Sequence, residues 1–147
     1  MITQTLKQSI LLVLPSVSSK NALASIVKCV RFVFKDGTLT LTTSNLEQSS
    51  MASFPCDSSI NGSFLLNGEA VKALLRLSGD ETSLTIDGGA IHIESGHVNL
   101  TLPTQEADGF PSMIEDSAHD CKWSSEVSTE VVANAIMAVG HSAGKEK

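Results

Sequence analysis

Histidine, cysteine and acidic side chains are the residues of this chain whose chemistry could support catalysis or metal binding. His92 lies on the polar side of an alternating segment and His97 begins the next one, so the two imidazoles could approach each other across strands. No carboxylate or cysteine accompanies them at metal-ligand spacing, and such pairs are usually surface residues. His119, Asp120 and Cys121 include a base and a nucleophile, but adjacent side chains rarely face each other. No catalytic constellation, cofactor or metal site is predicted.

The segment from Gly140 to Lys145, G-H-S-A-G-K, has a weak similarity to a phosphate-binding loop. It has one residue too few, lacks the Ser or Thr after the lysine, and follows a helical segment instead of preceding one. We therefore reject nucleotide binding, and the chain is not interpreted as an enzyme. Its three cysteines are far apart and odd in number. They favour neither a disulfide framework nor zinc, and a reducing, cytoplasmic compartment is expected.

Two cations in a helical segment are candidates for contact with phosphate groups. Lys72 and Arg76 lie four residues apart, which would place both on one face of a helix. The alternative is that both are ordinary solvated helix charges, one of them paired with Glu69. Taken alone, the spacing favours the solvated face.

The elements that would position these cations begin with a short edge strand over residues 2–6. A short or kinked helix is expected over about residues 8–18, because apolar residues recur at helical spacing but Pro15 removes a backbone hydrogen bond. Three strands follow, the first two joined by a hairpin turn at Asp36 and Gly37. These strands are predicted over residues 26–34, 38–42 and 46–54.

The same order of elements then returns. A strand over residues 63–66 leads to a helix capped by Asn67, whose side chain can accept an amide hydrogen bond. The expected buried face of that helix comprises Val71, Leu74, Leu75 and Ser78. Three further strands are predicted over residues 83–86, 90–93 and 98–102. This duplicated β-α-β-β-β unit predicts a pseudo-symmetric α+β domain, with two helices packed on antiparallel sheets.

The predicted domain organisation has three parts. Residues 1–103 form one complete domain, and residues 104–121 form a linker marked by acidic residues, proline and glycine. Residues 122–147 contain a strand and an amphipathic helix, which we interpret as the truncated start of a second domain. Because one strand and one helix cannot bury their apolar surface alone, we expect a truncated chain or one that a partner completes.

The composition of the chain supplies both material for a core and an objection to nucleic-acid binding. Hydrophobic residues make up 41% of the 147 residues, and the formal net charge is −6. A simple nucleic-acid binder usually carries enough basic residues to shift the total charge. The apolar run from Ile10 to Leu14 is too short to span a membrane.

Four segments, in order and at matching separations, resemble the bacterial sliding clamp, the beta subunit of DNA polymerase III. They are residues 35–47 (K-D-G-T-L-T-L-T followed by S-N-L-E), the helix at 67–77, residues 94–103 (E-S-G followed by N-L-T-L-P), and residues 109–113 (G-F-P-S-M). The resemblance runs from about Lys7 to the end of the chain. Asn45 stands where the family usually has Asp.

The resemblance implies the DNA clamp fold and a function without chemistry. Clamps of this family have three such domains per subunit, and two subunits form a homodimeric ring around duplex DNA. Helices line the hole and sheets form the outer wall. Contacts are to phosphates and not to bases, so only the inner face needs positive charge. This arrangement answers the objection raised by the net charge.

The implied role is that of a cytoplasmic processivity factor whose partners are duplex DNA, the replicative polymerase, the clamp loader and a second clamp subunit, with no membrane. The implied DNA-facing residues are Lys7, Lys20, Lys72 and Arg76. Glu69 occupies a position where the family would favour a basic residue. The alternative function is a stand-alone protein-interaction module of clamp-like fold that does not encircle DNA.

Overall fold

The computed structural model describes residues 1–17, 25–46, 48–57, 61–111 and 127–142. The chain divides into two compact units, Met1–Met113 and Ile114–Lys147. The first unit contains both sheets and two α-helices, and the second contains a third helix. The boundary that we predict between linker and second domain stays a prediction.

All described strands belong to two antiparallel sheets in the first unit. The five-stranded sheet has the order β3-β2-β1-β4-β8, and the three-stranded sheet has the order β5-β6-β7. The strands are β1 (Cys29–Lys35), β2 (Thr38–Ser44), β3 (Ser49–Pro55), β4 (Gly62–Asn67), β5 (Ser83–Asp87), β6 (Ala90–Ser95), β7 (Val98–Pro103) and β8 (Gln105–Glu106). The predicted α+β class is confirmed.

Alternation of apolar and polar residues explains why each sheet has one buried face. In β1, Val30, Phe32 and Phe34 are buried, and Arg31 and Val33 point to the other side and are half-buried. The rings of Phe32 and Phe64 stack across β1 and β4 with centroids 5.3 Å apart. Such stacked pairs stabilise a sheet beyond the area that they bury.

The first helix, α1 (Thr3–Val13), begins earlier than the sequence indicates. Ile2 forms only an isolated bridge with Glu81, so the predicted edge strand over residues 2–6 is wrong. The helix buries Leu6, Ile10 and Val13 on one face. Pro15 lies in a 3-10 turn, Leu14–Ser16, because proline tolerates the first positions of such a turn but not the interior of an α-helix.

The second helix, α2 (Gly68–Ala73), is shorter than predicted and continues as a 3-10 turn, Leu74–Arg76. The Asn67 cap is confirmed, since its Oδ1 accepts the amide of Glu69 at 2.9 Å. The buried positions are Val71, Leu74 and Leu77, and Ser78 is exposed. The predicted burial of Ser78 is wrong because a 3-10 turn repeats every three residues, which brings Leu77 inward instead.

The first segment of each repeat pairs with the other repeat. β4, the first strand of the second repeat, pairs with β1 of the first repeat. Reciprocally, the first residues of the chain pair with the segment before β5: the Met1 carbonyl accepts the amide of Thr82 at 2.8 Å, and the amide of Thr3 donates to Asp80 at 2.9 Å. This pairing ties each repeat to the sheet of the other.

A network of buried hydroxyl groups stabilises the contact between the first residues of the chain and the segment before β5. Thr3 Oγ1 lies 2.9 Å from Thr82 Oγ1 and 3.3 Å from Ser95 Oγ. The Ser95 hydroxyl also donates to the Glu81 carbonyl at 3.0 Å and accepts the Gly79 amide at 3.1 Å. Because buried polar groups are costly unless paired, this network specifies how the chain start meets the second repeat.

The predicted linker contains ordered structure at its start. β8 pairs with β4, and Phe110 is buried against Cys29 and Leu65 on the far side of the five-stranded sheet. The first residues of the predicted linker therefore belong to the first unit, and a two-residue strand and one aromatic anchor give no periodic signal by which to predict this. The limits of the domain, 1–103, and of the linker, 104–121, stay predictions.

The second unit contributes α3 (Thr129–Ser142), which confirms the helix predicted there. Its larger apolar side chains are solvent-exposed: Val131, Val132, Ile136, Met137 and Val139. The strand predicted to start at Lys122 lies outside the described residues, except for Val127.

Candidate nucleic-acid interface

The candidate interface is the solvent-facing side of the two helices in the first unit, here called the helix face. It comprises Gln4, Lys7, Gln8, Leu11 and Leu12 of α1, with Glu69, Lys72 and Arg76 of α2 and its 3-10 turn. Both helices pack on the buried side of the five-stranded sheet, where their apolar residues join one common core. The sheet therefore holds the helix face in place from behind.

Lys72 lies on the helix face in an ion pair with Glu69. Its Nζ is 2.6 Å from Glu69 Oε1, and the two side chains are 54% and 80% exposed. Such an exposed pair contributes little to stability and is screened by salt. The cation remains accessible, and the neighbouring carboxylate offsets part of its charge. This is the pairing that the solvated-face alternative predicts.

Arg76 is exposed but does not share the direction of Lys72. The two residues would be separated by roughly 40° on a continuous α-helix. Because three of the four intervening steps lie in a 3-10 turn, the separation is roughly 100°. The prediction of a common face assumed a continuous α-helix, and ideal 3-10 geometry turns the two exposed cations apart. Their assignment as DNA contacts stays a prediction.

The other two predicted contact residues have different outcomes. Lys7 lies inside α1, half-buried, and not before the helix as the sequence indicates. Lys20 lies outside the described residues. The helix face thus carries three described cations against one carboxylate, a small positive excess in a chain of net charge −6.

Leu11 and Leu12 are the feature of the helix face that sequence reasoning missed. They are 57% and 70% exposed, although they lie between the buried residues Ile10 and Val13. A four-residue apolar run in a helix must leave some side chains facing outward, because one face covers only part of each turn. The apolar run Ile10–Val13 is the sequence feature that could have indicated exposed leucines in this helix.

The solvent faces of the two sheets differ in charge. The outward-facing described positions of β1, β2, β3 and β4 include Arg31 and Lys35 and no acidic side chain, and Glu106 of β8 is paired with Phe64 of the core face. The three-stranded sheet presents Asp87 and Glu94, with His92 between them, and no lysine or arginine.

The residues with conventional catalytic chemistry do not converge. His92 is exposed, with its Nδ1 3.0 Å from Thr101 Oγ1, and His97 lies in the turn before β7. Burial raises the pKa of the Cys29 thiol and, with a smaller contribution from Asp57, that of Cys56. No group of three potential metal ligands occurs among the described residues. The segments containing His119 to Cys121 and Ala143 to Lys145 lie outside them.

None of the described helices is long and apolar enough to cross a membrane.

The duplicated unit, the two antiparallel sheets and the paired helices define the DNA clamp fold. Solved structures of bacterial clamps are similar to this chain. The DNA polymerase III beta subunit of Thermotoga maritima matches with a TM-score of 0.72 and 25% identity over 77% of this chain. The sliding clamp of Bacillus subtilis gives 0.70 and 21% over 77%, and the Caulobacter crescentus pol III beta gives 0.71 and 19% over 79%.

The match covers only part of those proteins. The chain spans 31% of the Thermotoga subunit and 32% of the other two. No protein-family model and no curated protein sequence matches the chain. The fold is that of a partial sliding clamp, and the activity of a whole clamp is a proposal.

Proposed function

We propose that this chain forms one domain, and the start of the next, of a sliding clamp that encircles duplex DNA and tethers a replicative polymerase. The observation that carries the proposal is the layered arrangement of the first unit. Its helices lie together on one side of a continuous sheet, and their solvent face is free for DNA in the described residues. The polymerase, the clamp loader, the homodimeric ring and a cytoplasmic location belong to the same proposal.

The charge of the helix face supports weak, sequence-independent contact with DNA. Lys7, Lys72 and Arg76 supply cations for contact with phosphate groups, and such contacts position a protein on DNA without reading its sequence. A ring stays on DNA because it is closed, so each phosphate contact can be weak. Lys20 is proposed as a fourth contact on the resemblance alone.

Two uncharged edge strands support assembly into a ring. β3 reads S-S-M-A-S-F-P and β7 reads V-N-L-T-L-P, and each has one side that no described strand covers. Soluble proteins usually protect exposed edges with charged side chains or bulges. Edges without such protection suit pairing with another clamp domain, which would continue the sheet.

A protein-interaction module that does not encircle DNA is the second candidate, and Leu11 and Leu12 favour it. Two exposed leucines contribute nothing to phosphate binding and are typical of a surface that contacts another protein. An enzymatic role is not proposed, since the titratable residues of the described chain do not converge on one site.

The experiment that separates the two candidates uses the product of the full gene. It is loaded onto nicked circular DNA with a clamp loader, and the DNA is separated from free protein by gel filtration before and after cutting at one site. A clamp stays on the circle and is lost after the cut, because it slides off the ends. Equal recovery on circular and cut DNA, or no loading at all, would refute encirclement and favour the interaction module.

A further inference from the structure

The sequence contains two asparagine–glycine pairs, Asn61-Gly62 and Asn67-Gly68, and the fold gives them opposite settings. In such a pair the backbone nitrogen of the glycine can attack the side-chain amide carbon, Cγ, of the asparagine. The N–Cγ bond forms and closes a cyclic imide, while the Cγ–Nδ2 bond breaks and ammonia leaves with the proton of the glycine amide. Glycine favours the attack because it has no Cβ to obstruct the ring and its backbone rotates freely.

Water completes the reaction by adding to either carbonyl group of the imide. Opening at one carbonyl gives aspartate, and opening at the other gives isoaspartate, in which the former side-chain methylene belongs to the backbone. Water is consumed and ammonia is released, so the reaction needs no oxidant, metal or enzyme. The neutral amide is thereby replaced by a carboxylate, which is ionised at neutral pH.

Asn61 has the backbone freedom that ring closure requires. It is exposed, belongs to no helix or strand, and directly precedes β4. A Cβ built on Gly62 meets no atom within 4 Å, so the space around the attacking nitrogen is open. The amide of Asp36 donates to Asn61 Oδ1 at 3.2 Å, and this N–H stabilises the negative charge that develops on the oxygen during the attack.

Asn67 lacks that freedom, although its Oδ1 also accepts a backbone N–H, that of Glu69. Its ψ is 136°, and ring closure needs rotation about the Cα–C bond to bring the Gly68 nitrogen over the side chain. Gly68 is buried at the start of α2, and a Cβ there would lie 2.8 Å from Val17 Cγ1 and 3.0 Å from the Lys28 carbonyl oxygen. The packed backbone therefore opposes the rotation.

We propose that Asn61 is a site of spontaneous deamidation in this protein and that the fold protects Asn67 from the same reaction. The product has a structural consequence, because Gly62 pairs with Phe34 of β1 at the start of β4. Isoaspartate lengthens the backbone immediately before this pair and places a carboxylate beside the turn that contains Asp36. Modification at residue 61 therefore weakens the first pairing of β4 with β1.

Peptide mapping by mass spectrometry after incubation at mildly alkaline pH tests the proposal. Chymotrypsin cleaves after Phe64 and so separates the two asparagines, and protein isoaspartyl methyltransferase labels the isoaspartate. In the folded chain we expect deamidation at Asn61 to be at least about tenfold faster than at Asn67, because the start of α2 must open locally before Gly68 can attack. In urea, where neither backbone is held in place, the two rates should become similar.

Two variants identify the attacking group and the consequence. The open space at residue 62 accepts a methyl group, so Gly62→Ala folds; deamidation at Asn61 should fall sharply in it, and deamidation at Asn67 should stay the same. Asn61→Asp gains the negative charge but keeps the normal backbone. The aged chain, which contains isoaspartate, should therefore unfold at a lower urea concentration than Asn61→Asp.

Three results would overturn the proposal. Equal rates at the two asparagines in the folded chain, or deamidation at Asn67 as fast in the folded chain as in urea, would remove the proposed difference between them. Undiminished deamidation in Gly62→Ala would show that the amide of residue 62 is not the attacking group. Equal urea midpoints for the aged chain and Asn61→Asp would refute the effect on the pairing of β4 with β1.

Discussion

The substitution Gly79→Ala tests the joint between the two repeats. A Cβ at Gly79 would lie 2.5 Å from the Gly96 amide nitrogen and 3.0 Å from the Ser95 carbonyl carbon. Both are backbone atoms, so no side-chain rotation can relieve the contact. Gly96 itself has φ of +61°, a conformation that a side chain there would strain. The added methyl group must therefore push the end of β6 and the turn after α2 away from each other.

The expected cost of Gly79→Ala is about 2 kcal/mol, the middle of the range for overpacking a closely packed site. Part of that cost is the weakening of the hydrogen bond from the Gly79 amide to Ser95 Oγ. Ser95 Oγ lies at the centre of the buried hydroxyl network. With an m-value of about 1.5 kcal/mol per molar urea, the midpoint of unfolding should fall by about 1.3 M.

Circular dichroism at a wavelength dominated by β-structure measures this midpoint. Gly62→Ala is the matched control, because a Cβ at Gly62 meets no atom within 4 Å. Its midpoint should stay within about 0.3 M of the parent chain, as for most surface substitutions. If Gly79→Ala behaved like this control, the close approach of the repeats at Gly79 and Gly96 would be refuted.

Three further predictions concern the helix face, the cap and the thiols. In the full ring, replacing Lys72 and Arg76 together by Gln should reduce the slope of log affinity against log salt by about 1.8, since each phosphate contact contributes about 0.9. An unchanged slope in a titration by fluorescence anisotropy would remove both residues from the interface. Asn67→Ala should cost about 1 kcal/mol in thermal unfolding, whereas Asn67→Asp, which retains an acceptor, should cost much less. Because burial raises the pKa of Cys29 in the folded state only, its contribution to stability is complete below about pH 9 and declines as the pH rises further. In a chain lacking the other two cysteines, alkylation at pH 8 should be slow until urea unfolds the protein, and rapid alkylation of the native chain would contradict the burial of this thiol.

Period-two alternation located the strands well. The predicted strands at residues 38–42, 83–86, 90–93 and 98–102 lie inside the observed β2, β5, β6 and β7. The alternation is clear in these strands because the residues of one face are polar or exposed and those of the other face pack in the core. The duplicated order of elements, which identified the clamp fold, depends on these same strands.

The two helices were predicted less accurately because their ends are 3-10 turns. Hydrophobic spacing cannot distinguish a helix that keeps 3.6 residues per turn to its end from one that tightens to three residues per turn over its last turn. That tightening moved Leu77 inward and Ser78 outward, and it separated Lys72 from Arg76. The direction of a surface cation is set by this local geometry and not by spacing alone.

The sequence did not reveal the setting of Arg31 because its neighbours come from other strands. Thr42 and Leu65 are 11 and 34 residues away along the chain, and only the register places them beside it. Residues on the solvent face of a sheet have no periodic signal of their own beyond polarity. The pairing of Lys72 with Glu69, in contrast, follows directly from their spacing on a helix.

The central claim is that the helix face, and not the sheet face, lies against DNA. A photo-reactive benzophenone side chain at Gln8, exposed on α1, or at Met51, 60% exposed on the solvent face of β3, tests this claim directly. Each variant of the full ring is loaded onto nicked circular DNA and irradiated, and protein–DNA adducts are measured. We expect adducts from position 8 and few from position 51; adducts mainly from position 51, or equal yields from both, would contradict contact between the helix face and DNA.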